Sequence, residues 1–144
     1  MILFIEVIFV FYVLMIFLFM IGWQKNKIEL SPSIYRVSVV IAIRNEQDNI
    51  KRLIKNLKSQ DYDRDLYDVI IIDDHSEDNS WDLLYNEKLD WPKLKLLSMN
   101  DDEYGKKSAI LKGVKFSDSE IIITTDADCF FSSNWITLMS SSFS

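Results

Sequence analysis

The sequence predicts an α/β protein, a mostly parallel β-sheet with flanking helices, preceded by one transmembrane helix. Three observations predict it. The first 23 of the 144 residues are apolar apart from Glu6 and Tyr12. After residue 34, short β-branched runs alternate with segments whose apolar residues recur at helical spacing. Polar clusters containing acids stand directly after three of those β-branched runs, at the end of the strand where an open parallel sheet binds ligands.

Residues 1–23, MILFIEVIFVFYVLMIFLFMIGW, read as the anchor, since about 20 consecutive apolar residues cross a hydrocarbon core as a helix. A secretory signal would show a basic start, a shorter apolar run and small residues at a cleavage site, and none is present. Glu6 lies within two turns of the helix start, close enough to reach the headgroup region. Lys25 and Lys27 follow at once, with Arg36 beyond, so the soluble part is expected to face the cytoplasm, with the chain single-pass in the cell membrane. Residues 24–34, with Pro32 among them, read as a linker, and residues 35–144 as one domain.

Within that domain the run from Arg36 to Ile43 suits a strand buried on both faces, and Ile50, Leu53, Ile54 and Leu57 then repeat at helical spacing. Asp68–Ile72 is the second buried run, followed by a polar turn and a helix carrying Trp81, Leu84 and Tyr85. Ser76, Asp78 and Ser80 are the candidate caps of that helix. Leu94–Leu97 is a shorter strand, Lys107–Lys115 a helix with Ala109, Ile110 and Val114, and Glu120–Thr125 a fourth strand. Trp135, Ile136, Leu138 and Met139 begin a last helix, and Ser140–Ser142 read as its frayed end. Strand and helix alternating in this way imply right-handed βαβ crossovers.

Charge and cysteine usage exclude several functions. Sixteen Lys+Arg against 22 Asp+Glu give a formal charge of −6, which repels a phosphate backbone, so no nucleic acid partner is expected. Cys129 is the single cysteine, and no Cys/His cluster has structural zinc spacing. Cys129 has no base partner in the sequence and reads as a small packed residue.

The polar residues after the strands are Arg44, Asn45 and Glu46, then Asp73 and Asp74, then Asp126 and Asp128. Two acids separated by one residue can both turn toward a hard divalent cation that also keeps substrate phosphates as ligands. An isolated pair of this kind is weak evidence, because Asp is a common turn residue. Asp73 and Asp74 have no evident structural partner and repel one another, which a donor-rich ligand such as a uracil imide or a ribose would justify. His75, the only histidine, reads as a turn residue with a local hydrogen bond. Trp135 suits a sugar stack or core packing equally.

Four ordered segments together resemble the family-2 glycosyltransferases of the GT-A, Rossmann-like fold. They are VSVVIAIRNEQDNI at 37–50, VIIIDDHSEDNS at 69–80, GKKSAILKG at 105–113 and IIITTDADCFF at 121–131. The resemblance implies that Ala42 and Glu46 lie beside a nucleoside, that Asp74 with Asp73 adjacent recognises its base or ribose, and that Lys106 meets the diphosphate. It further implies that Asp126 contacts the ribose and metal side while Asp128 binds Mg2+ or Mn2+ directly. The expected partners are a nucleotide-diphosphate sugar, with a UDP-sugar favoured, a glycan or lipid acceptor, and the membrane. The expected process is inverting hexosyl transfer in polysaccharide biosynthesis.

Inverting transfer needs a base for the acceptor hydroxyl, which the family takes from a later acid, and Cys129–Ser144 contain no Asp, Glu or His. The chain therefore reads as a truncated donor-binding half with no catalytic base of its own, expected to bind donor and to transfer sugar poorly. Two other classes stay open: a phosphoryl-transfer domain of haloacid-dehalogenase or receiver type, and a noncatalytic membrane-tethered module. Against the first, the position two after Asp128 is Phe130 where Thr or Val is wanted. A Walker site fails because Asn100 and Lys107 occupy its glycine and hydroxyl positions, and no G-x-G-x-x-G occurs.

Overall fold

The computed structural model describes residues 2–24 and 35–143. Helix α1 (Ile2–Gln24) is one continuous helix, and its Phe4–Gly22 segment is long and apolar enough to cross a membrane. The expected linker, apart from Gln24 at the end of α1, lies outside the described residues, as do Lys25 and Lys27.

The remainder alternates as expected: β1 (Val37–Ile43), α2 (Gln47–Lys58), β2 (Tyr67–Asp73), α3 (Ser80–Leu89), β3 (Leu94–Ser98), α4 (Lys106–Phe116), β4 (Ile121–Thr124) and α5 (Trp135–Ser141). The four strands form one sheet in the order β3-β2-β1-β4, every pairing parallel. Because successive residues of a strand point to opposite faces, β1 splits into two sets. Val37, Val39, Ile41 and Ile43 join Val69, Ile71 and Ile123 under α2, α3 and α5, where Ile50, Leu53, Ile54, Leu57, Leu84 and Ile136 close the larger core. Val40 joins Ile70, Ile72, Met99 and Ala109 beneath α4, forming the smaller one. All four periodic residues of α2 are buried, each worth roughly 1.5–3 kcal/mol of apolar burial.

Three expectations are corrected. Tyr85 is exposed, and Leu83 packs against the core from α3 instead. Ser140 and Ser141 are not a frayed end but the buried last turn of α5, with hydroxyls donating to the carbonyls of Thr137 and Leu138. Cys129 is exposed rather than packed. The buried Gln60 holds α5 in place, its Nε2 donating to the Ser132 carbonyl and its Oε1 accepting the Ile136 N–H.

Candidate functional site

The chain moves outward through β1, β2 and β3, then crosses back by α4 to lay β4 on the other side of β1. That reversal puts α4 on one face and α2, α3 and α5 on the other, and opens a crevice at the carboxyl ends of β1 and β4. Register deepens it. Thr124 at the end of β4 pairs with Val40, so Ile41–Ile43 have a strand partner only on the β2 side. The cleft above that step is lined by Ala42, Ile43, Arg44, Glu46, Asp74, Lys106 and Asp126–Asp128. Of the sequence-predicted site residues it brings together Ala42, Glu46, Asp74, Lys106, Asp126 and Asp128, and leaves Asp73 outside the lining.

The first wall is fixed by exchange between two turns. The first N–H groups of a helix have no intrahelical acceptor, and those around the start of α2 are taken by the turn after β2. Asn45 N–H donates to Ser76 Oγ, Glu46 N–H to Ser80 Oγ and Gln47 N–H to Asp78 Oδ2, at 2.8–3.1 Å. In return Glu77 N–H donates to Asn45 Oδ1 and Asn79 N–H to Gln47 Oε1. Asn45 and His75 hold these turns in the left-handed region at φ 55° and 59°.

Asp73 and Asp74 turn out to have structural partners. Asp73 Oδ2 accepts the Ser76 N–H at 3.2 Å, while its Oδ1 is buried without a partner. Asp74 Oδ2 accepts the N–H of Gly105 at 2.9 Å, tying β2 to the start of α4, and Oδ1 meets His75 Nδ1 at 3.1 Å. Gly105 has φ 92°, a conformation that glycine adopts at little cost. The His75 ring stacks on Tyr104 with centroids 4.5 Å apart, so His75 is a turn residue with a local hydrogen bond.

The opposite wall is the loop after β4. Ala127 is 3% exposed and packs into the larger core, and Asp126 and Asp128 flank it on the cleft. Asp126 Oδ1 lies 2.5 Å from Lys106 Nζ. That hydrogen bond raises the Lys106 pKa, outweighing the opposing effect of desolvation, and the charges of Asp126 and Asp128 add to it. Trp135 stacks on Phe131 at 4.4 Å and packs against the core, which takes it out of the cleft lining.

Two residues to which sequence reasoning gave no role belong here. Arg44 lines the cleft and, among the described residues, has no salt bridge; its place directly after β1 was the available signal. Arg52 reaches from α2 to the Asp128 carbonyl and stacks on Phe130, and nothing in a lone helical arginine announces that.

The cleft lining carries four carboxylates against two cationic side chains, an excess that an added cation would relieve. Among the described residues no three His, Cys, Asp or Glu side chains stand close enough to hold a metal by themselves. Mg2+-type sites commonly use one or two carboxylates and take the remaining ligands from substrate phosphate and water. Asp126, already paired with an ammonium, and the exposed Asp128 fit that pattern.

Comparison with known proteins identifies relatives of the chain. The model for "Glycosyl transferase family 2" matches residues 38–143. The beta-monoglucosyldiacylglycerol synthase of Nostoc sp. is 35% identical over 109 residues, 75% of this chain and 23% of that protein. The undecaprenyl-phosphate 4-deoxy-4-formamido-L-arabinose transferase of Proteus mirabilis is 33% identical over 96 residues, 66% of this chain and 29% of that protein. Among solved structures, the mannosyltransferase PcManGT from Pyrobaculum calidifontis, in complex with GDP-Man and Mn2+, superposes with a TM-score of 0.72 at 24% identity, covering 89% of this chain and 39% of that one. The chain thus spans less than a third of either curated relative's length.

Proposed function

The chain belongs to glycosyl transferase family 2, and on that premise we propose that its cleft binds the nucleoside diphosphate of an activated sugar together with Mg2+ or Mn2+, for sugar transfer to a glycan or lipid acceptor. The observation that carries the reading is the convergence of Glu46, Asp74, Lys106, Asp126 and Asp128, from four separate segments, on one cleft at the point where strand order reverses.

Each residue has a role that its chemistry suits. Ala42 presents only a methyl, which leaves room for a nucleoside against β1. Glu46 and Asp74 accept from base or ribose donors, and Asp73 holds the turn that carries Asp74. Lys106 exchanges its bond with Asp126 for one with the diphosphate, leaving Asp126 and Asp128 as the two carboxylate ligands of the cation. When bound, the cation supplies neutralisation of charge on the departing diphosphate. A lipid acceptor draws support from two relatives whose names carry monoglucosyldiacylglycerol and undecaprenyl phosphate.

Calorimetric titration of UDP, GDP and a UDP-sugar, with and without Mn2+, tests this. Nucleotide binding that Mn2+ strengthens, with the gain lost in Asp128→Ala, is expected, whereas Mn2+ alone binds weakly because a third protein ligand is missing among the described residues. Absence of nucleotide binding under every condition rules the reading out.

A further inference from the structure

We propose that Arg52 is a positioning residue that couples the two ends of the cleft, so that nucleotide and divalent cation bind with positive cooperativity. This rests on the nucleoside-diphosphate reading of the cleft. A continuous line of contacts carries it. Glu46 Oε2, on the nucleoside side, accepts from Asn49 Nδ2 at 2.6 Å. Asn49 Oδ1 accepts from Arg52 Nη2 at 2.5 Å, and the same nitrogen reaches the backbone carbonyl of Asp128 at 3.3 Å. Above them the guanidinium lies 4.3 Å from the centre of the Phe130 ring.

The arrangement acts on the exposed middle of the loop, Asp128–Phe130, between Ala127 and Phe131, which pack on the core. Phe130 is 74% exposed, so the Arg52 guanidinium is the surface its ring rests on. Arg52 makes no salt bridge among the described residues, and its Nε is buried without a partner. Its charge is therefore spent on a carbonyl, an amide oxygen and a ring, all neutral groups that set geometry. Holding the carbonyl of Asp128 fixes the backbone position from which its carboxylate projects. A ligand that fixes Glu46 thereby fixes Asn49, Arg52 and the metal-side loop, which makes the later cation cost less ordering. By linkage the cation must strengthen nucleotide binding by the same factor.

The test compares nucleotide affinity with and without Mn2+ for the whole chain in detergent, using UDP and GDP as probes. The variants are Arg52→Gln, Arg52→Lys and Phe130→Leu. Groups that orient metal ligands typically change metal affinity by 10–100-fold, so Arg52→Gln is expected to cut the Mn2+-dependent gain in affinity about tenfold and to shift metal-free affinity less than about twofold. Arg52→Lys, which keeps a cation over Phe130 but loses the fork, recovers part of the gain. Phe130→Leu acts in the same direction and, sited on an exposed ring, carries the test should Arg52→Gln lose its fold. Equal losses with and without Mn2+, or none, overturn the coupling while the cleft reading stands. A wild-type chain that binds neither probe defeats the cleft reading and the coupling with it.

Discussion

At the scale of single residues, the cleft's first wall depends on hydroxyls and carboxylates that serve a neighbouring helix. Ser80 has no exposed surface and its Oγ accepts the Glu46 N–H at 2.8 Å. Ser80→Ala leaves that N–H without a partner and is expected to cost about 1–2 kcal/mol, the usual effect of a lost cap; a lowered midpoint in thermal unfolding checks it. Asp78 gives the pH dependence. Burial pushes its carboxyl pKa up, but hydrogen bonds from Ser80 and from the Gln47 N–H outweigh this and hold it below the ordinary value of 3.8. A depressed folded-state pKa means stability that is complete above 3.8 and is lost as pH falls through the lower value. Asp78→Asn is therefore less stable than wild type near neutrality, and the gap narrows in acid; a constant gap would count against the mechanism. Cap chemistry was legible in Ser76, Asp78 and Ser80, and Asp78 Oδ1 does accept the first N–H of α3; that all three also serve the start of α2 was not legible, because a preferred residue type names a kind of bond and these acceptors meet donors 31–34 residues away. For the same reason Asp73 and Asp74 looked unemployed in the sequence although each takes a backbone N–H.

At the scale of elements, strands were the most legible part, since β1 and β2 are buried on both faces and their β-branched runs have no competing helical period. Helix α4 was less so. Its buried residues are Ala109 and Gly113, small groups that leave little hydrophobic signal because the helix lies close against the sheet. A Cβ added to Gly113 would stand 2.5 Å from Val40 Cγ1 and 2.6 Å from Ile72 Cδ1. Alanine favours helix over glycine by about 1 kcal/mol, while forcing a methyl into a packed core costs about 1–3 kcal/mol, so Gly113→Ala is expected to be a net loss. Urea unfolding followed by tryptophan fluorescence measures it, and a stabilised variant would show that the smaller core yields. The same displacement would move Lys106 on α4, linking a packing fault to the cleft. Ser140 and Ser141 were misread because three serines in a row resemble a solvated tail, and only the docking of α5 onto Gln60 buries them.

At the scale of the whole molecule, alternation of strand and helix in the sequence implied a parallel sheet, yet the return of β4 to the side of β1 is a property of the fold that no local pattern encodes. That return creates the cleft. The other global question is what surroundings α1 is built for. Every described side chain of Phe4–Gly22 is exposed, so α1, apolar all round apart from Glu6 and Tyr12, has no buried face to account for it. A helix of that kind is stable in hydrocarbon and not in water. Lys25 and Lys27 directly after it favour the cytoplasmic side by the bias of basic flanks. Cys129 is the only cysteine in the sequence and is exposed beside the cleft, which makes it a built-in reporter of sidedness. The chain is expected to resist carbonate extraction from membranes, and a membrane-impermeant maleimide should label Cys129 only after cells are permeabilised. Lys25→Glu combined with Lys27→Glu should weaken the bias and let part of the population label in intact cells. Full labelling of the wild-type chain in intact cells would place the domain on the opposite side, and release by carbonate would mean that α1 lies on a surface without crossing.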